Sequence, residues 1–238
     1  TSIWISLIFS CSAIAETNEI FSDGYNQYQQ SFSSLGKQLE SWTKSPVPHK
    51  ENLSPLEQDA YTIFEDVWTP ADFTRFVSDS TNTHQIVTPP FLLVQNSLKV
   101  KFEKDDGSYC TQLISNFVPA VSVEGAKVIV LTEERKEIIL DFLGHTAQAP
   151  ISNLYDSSRN SSEVVKKYHY LSEVLTVTPG HWAEWHLVAF PGISEIRFNK
   201  EKTHASVYLR FKHGGATAYY TKTEEGWTFN HCEDTWVE

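Results

Sequence analysis

His204-Ala205-Ser206-Val207-Tyr208-Leu209-Arg210-Phe211-Lys212 decides the fold class. Side chains alternate across a strand, so Ala205, Val207, Leu209 and Phe211 share one face while His204, Ser206, Tyr208, Arg210 and Lys212 share the other. A sheet containing this strand has one apolar face and one mixed face. Around it stand further strand-like runs separated by short turn signals: His181 to Phe190, Ser194 to Phe198, Thr217 to Lys222 and Trp227 to Val237. That spacing predicts an antiparallel meander.

Upstream, Leu98, Val100 and Phe102 alternate with Lys99, Lys101 and Glu103 before Asp106-Gly107, which predicts a hairpin returning through Ser108 to Ile114. Another strand is expected at Lys127 to Leu131. Thr132, followed by Glu133 and Glu134, caps a helix whose Ile138, Ile139, Phe142 and Leu143 face the core and which Gly144 ends. After a loop from His145 to Asn160, a further helix is expected over about Ser162 to Leu171.

The N-terminal part reads as helical. Phe21, Tyr25, Tyr28, Phe32, Leu35, Leu39 and Trp42 form a narrow apolar stripe, and Pro46 and Pro48 then mark a linker. Ser54-Pro55-Leu56-Glu57 has the spacing of a capping box, with an apolar face at Leu56, Ala60, Ile63, Phe64 and Val67. A short helix from Thr69 to about Val77 and a loop from Ser78 to Pro90 follow. Helices before and beside a half-apolar sheet predict α+β, with N-terminal helices and then a curved antiparallel sheet covered by helices on one face.

The first residues carry a different signal. Ile3 to Ser10 is uncharged and largely apolar, and Ala13-Ile14-Ala15 follows as a cleavage triplet, so 1–15 reads as a signal peptide. Residues 16–50 are then an N-terminal amphipathic helix and linker, and 51–238 an α+β domain. Cys11, preceded by Ile8-Phe9-Ser10, keeps a lipid anchor as an alternative. A buried structural segment is the third reading. Export places the protein in the periplasm or outside the cell, soluble or lipid-anchored. No run reaches the roughly 20 apolar residues of a membrane-spanning helix.

Thirty acidic against 19 basic residues give a formal net charge of −11. Nucleic-acid binding needs the opposite balance, so no nucleic-acid partner is expected. Past the leader, Cys110 and Cys232 are an even pair, and an oxidising compartment invites a disulfide closing a loop of about 120 residues. Two unpaired buried thiols are the other reading.

His181-Trp182-Ala183-Glu184-Trp185-His186 is the densest polar-aromatic cluster. Glu184 and His186 share a strand face about 7 Å apart, which suits acid–base work with help from His204 or His231. The plainer reading is a strand anchored by its rings. Cys232 beside His231 is a poor thiol–imidazole pair, because adjacent strand residues point oppositely. The sequence lacks a zinc-protease His-Glu-x-x-His, a Cys-x-x-Cys, a P-loop and a dinucleotide glycine pattern, so neither metal nor cofactor is expected.

The order Phe142-Leu143-Gly144, Gly180-His181-Trp182, Gly214-Gly215-Ala216-Thr217-Ala218-Tyr219-Tyr220, Glu225-Gly226-Trp227 and Thr235-Trp236-Val237-Glu238 resembles a group of exported bacterial proteins. Its closing strands also resemble SnoaL-like, cystatin-like α+β domains of the nuclear-transport-factor-like superfamily. The resemblance covers about residues 95–238. It implies a curved sheet wrapping a pocket; no catalytic residue carries over. The expected function is therefore non-catalytic binding of a small molecule or a cell-envelope protein through Trp182, Trp185, Tyr208, Tyr220 and Trp227. A hydrolase or isomerase around Glu184 and His186 is the alternative.

Overall fold

The structure is a computed structural model that describes residues 32–43, 52–68, 90–143, 163–175, 177–179, 185–187, 189, 191–211 and 214–237. The leader with Cys11, the 44–50 linker, the Thr69–Val77 helix, residues 78–89 and 145–160 of the expected loops, and Trp182 and Glu184 lie outside the described residues. The chain divides into two units, Thr1–Glu40 and Ser41–Glu238. Of the first, residues 32–40 are helical, and this helix (α1) continues to 42. Leu35 and Leu39, one turn apart on the apolar stripe, are buried.

In the second unit, α2 (Pro55–Trp68) starts with the reciprocal bonds that its sequence encodes. Ser54 Oγ accepts from the Glu57 amide at 3.3 Å, and Glu57 Oε2 accepts from the Ser54 amide at 2.8 Å. Pro55 needs no amide partner at the first helical position. The anticipated face is buried at every position, and Tyr61 and Trp68 widen it.

Among the described residues the main sheet has six strands in the order β10-β9-β8-β7-β2-β3. They are β2 (Ser97–Glu103), β3 (Tyr109–Ser115), β7 (Gly192–Phe198), β8 (His204–Phe211), β9 (Gly214–Thr223) and β10 (Gly226–Val237). β7 to β10 form the expected antiparallel meander. β2 and β3 form the expected hairpin, pairing Ser97 with Ser115 through to Glu103 with Tyr109. The Gly107 amide donates to the Lys104 carbonyl at 3.0 Å to close its turn, and Gly107 takes φ 77°, a left-handed conformation that glycine adopts without a Cβ clash.

One expectation about the sheet is corrected. β7 joins β2 in parallel, with Val100 opposite Ile196 and Phe102 opposite Phe198, so the sheet is mixed rather than antiparallel. Short turns dictate antiparallel neighbours, but the connection from β3 to β7 is long enough to return the chain in either direction. Within that connection, β4 (Lys127–Leu131) pairs in parallel with β1 (Phe91–Gln95), which precedes β2, as a second, two-stranded sheet. β4 has the expected bounds.

A second correction concerns His181 to Phe190. Among its described residues, β6 (Trp185–Leu187) pairs with β5 (Val177–Pro179) in a separate two-stranded sheet rather than joining the meander. Pro179, the last residue of β5, has no amide to donate to a ladder. Two helices complete the described elements. In α3 (Glu133–Phe142), Thr132 Oγ1 accepts from the Arg135 amide as the cap and Ile139 is buried; α4 (Glu163–Val174) runs three residues past its expected end.

The core lies between α2 and the apolar sheet face. Leu98, Val100, Ile196, Phe198, Val207 and Leu209 are buried beneath Ile63, Phe64 and Val67. Alanines 205, 216 and 218 are buried in the same cluster. Polar bonds tie down its flanks: Tyr220 Oη donates to Asp66 at 2.9 Å, and Trp227 Nε1 and Lys222 Nζ both reach Asp59, at 2.9 and 2.8 Å.

The Cys110–Cys232 disulfide is not formed. Cys110 lies on β3 and Cys232 on β10, the two ends of the strand order. Five strand spacings of about 4.8 Å separate them, far beyond the roughly 7 Å limit between Cα atoms of a bridged pair.

Candidate functional site

The site grows from two strands with the same simple pattern. On β2, Val100 and Leu98 point to the core, which turns Lys99 and Lys101 to the mixed face; on β7, Ile196 and Phe198 do the same for Glu195 and Arg197. The parallel register then sets these four residues side by side. Lys99 Nζ lies 3.0 Å and Lys101 Nζ 3.1 Å from Glu195 Oε2, while Arg197 Nε bonds the other carboxylate oxygen.

Glu195 is only 5% exposed. Burial alone raises a carboxyl pKa, but the hydrogen bonds from Lys99, Lys101 and Arg197 outweigh it and hold the group below its ordinary value. Three cations gathered on one carboxylate leave local positive charge on a chain whose formal net charge is −11. Lys99 and Arg197 remain partly open to solvent.

Tyrosines border the cluster. Arg197 Nη1 donates to Tyr208 Oη at 2.8 Å, and its guanidinium lies 4.3 Å from the Tyr208 ring centre and 6.0 Å from that of Tyr109. Across the sheet, Tyr219 donates to Glu233 at 3.1 Å, and His231 stacks on the Tyr219 ring at 4.6 Å. Burial and then the Glu233 carboxylate raise the Tyr219 pKa. On β3, Tyr109 is 50% and Leu113 62% exposed.

The residues singled out from the sequence are not brought together. Tyr208 lies on the mixed face, but Tyr220 and Trp227 lie on the opposite one, bonded to α2 and packed in or against the core. Trp185 and His186 are placed only as β6 backbone, and Trp182 and Glu184 are outside the described residues. His204 bonds Thr203 at the start of β8, whereas His231 is on β10 beside Glu233. Two strand spacings and two residues separate these histidines, about 12 Å, which is too far for shared proton transfer. Cys232 packs against the core while His231 stacks on the other face.

Among the described residues no three His, Cys, Asp or Glu side chains gather as a metal site. An open groove of about 580 Å³ lies between the 104–108 and 199–203 turns, but its charges are of both signs and Lys200 pairs with Asp105 at 2.9 Å. The chain matches no family model, no curated protein and no solved structure. Lys99, Lys101, Glu195 and Arg197 escaped the sequence reading, although the signal was present: two same-face cations on one strand, and an acid and a cation at the same spacing on another.

Proposed function

We propose that this chain is an exported, non-catalytic binding protein, and that the mixed face of its six-stranded sheet takes a negatively charged ligand or partner. The observation that carries this reading is the Glu195 cluster, with three cations on one buried carboxylate and two of them still reachable from solvent. Tyr109 and Tyr208 add flat, amphipathic surface beside the charge. A helix covering the other face supports a SnoaL-like, cystatin-like arrangement. Export, to the periplasm or beyond, rests on the apolar run from Ile3 and on Ala13-Ile14-Ala15.

Two aromatic probes of opposite charge test the proposal. Benzoate titrated into isotope-labelled protein should shift the resonances of Lys99, Arg197, Tyr109 and Tyr208, and benzylamine should leave them unchanged. Equal responses to both probes, or benzoate shifts confined to other residues, would overturn it.

A further inference from the structure

The strand at the sheet's edge narrows the class of partner. Resting on the reading of the mixed face as an anion-binding surface, we infer that β3 takes an extended acidic peptide segment as a seventh strand.

The backbone supplies the first argument. The Lys104 amide donates to the Ser108 carbonyl at 2.8 Å, which fixes the alternation of the hairpin ladder. Cys110, Gln112 and Ile114 then turn their N–H and C=O groups toward β2; Tyr109, Thr111, Leu113 and Ser115 turn theirs outward. All four outward residues are exposed, and among the described strands β3 ends the sheet.

The two edges differ in how they are defended. β10 has two register shifts and carries Glu233 and Asp234, features that discourage pairing with a further strand. β3 pairs with β2 over seven residues without a shift, and Tyr-Cys-Thr-Gln-Leu-Ile-Ser contains no charge, proline or glycine. An edge of this kind is a template for strand addition.

Charge then selects the occupant. Leu113 lies opposite Lys99 and Thr111 opposite Lys101, so a strand laid along β3 passes about 10 Å from the lysine backbones, within reach of paired long side chains. Acidic side chains belong beside Leu113 and Thr111, and not beside Tyr109, whose β2 partner is Glu103. A second copy of this chain fits less well, because it brings its own lysine row to the same seam.

The test uses the full chain and a labelled eight-residue peptide alternating Glu and Val. Its comparators are the same peptide with Lys for Glu and one N-methylated at alternate amides. The Glu peptide should bind at low salt and slow hydrogen exchange at the Tyr109, Thr111 and Leu113 amides. Affinity should fall at least about tenfold for either comparator and for Thr111→Pro, which removes an outward N–H and leaves the β2 ladder intact.

Undiminished binding to Thr111→Pro overturns the inference, as does exchange protection of those amides in the free chain. So does a dimer, seen by sedimentation, that Thr111→Pro dissolves. Should Thr111→Pro fail to fold, the N-methylated peptide decides: binding equal to the parent peptide overturns the inference. If benzoate shifts the cluster but no peptide binds, strand addition fails and the anion-binding face stands. If neither binds, both readings fail.

Discussion

A carboxylate held at 5% exposure is tolerated only when its charge is answered, and three cations answer that of Glu195. Glu195→Gln leaves those cations facing one another. Because Lys99 and Arg197 are partly solvated, the expected loss is modest, about 1–3 kcal/mol by chemical denaturation at neutral pH. The sign of the pH dependence follows from the lowered pKa. Glu195 contributes its stabilisation above the ordinary carboxylate range and loses it as pH falls through its depressed folded-state value. The stability gap between the parent and Glu195→Gln should therefore close on acidification below about pH 4. A gap that is constant with pH would refute the assignment. At this scale the sequence revealed which way Lys99, Lys101 and Tyr208 point, because alternation is local. It hid the meeting of the two lysines with Glu195, about 95 residues along the chain, because alternation carries no information about which strand lies alongside.

Elements with local signals were legible. Ser54 and Glu57 announced the start of α2, and the structure gives both reciprocal bonds. Ser54→Ala should cost about 1 kcal/mol of stability, measured as a shift in the denaturation midpoint with unchanged slope. A neutral result would mean that the packing of Phe64 and Val67 alone sets the helix start. The hairpin and meander were equally readable, since Asp106-Gly107 and the later turns name their own neighbours. Phe91-Leu92-Leu93-Val94 was missed for a physical reason. All four residues are buried in a strand paired in parallel with β4, so no polar alternation marks it. The aromatic cluster near Trp182 misled in a different way, because an alternating ring-rich run names no partner, and its described strand, Trp185–Leu187, pairs with β5 and not with the meander.

For the whole molecule, the α+β class followed from the order of helical and strand periods, while the mixed character of the sheet did not. Among the described residues, the core cluster takes none before Leu53, so a chain beginning at Ser41 should fold with a single cooperative transition and keep the exchange protection of β7 to β10. Loss of that protection would show that the core depends on residues 1–40. The parallel β2–β7 seam bears on how the protein reaches its fold. It divides the sheet into two stretches that are each contiguous in sequence, so each can form from nearby residues, while the seam must wait for distant ones to meet. Val100→Ala should then mainly speed unfolding, and Val207→Ala within the meander should slow refolding, as stopped-flow kinetics can distinguish. The same seam joins the lysines to Glu195, so the charged surface is assembled last: a chain caught before that step holds both halves of the site and has neither its geometry nor its affinity.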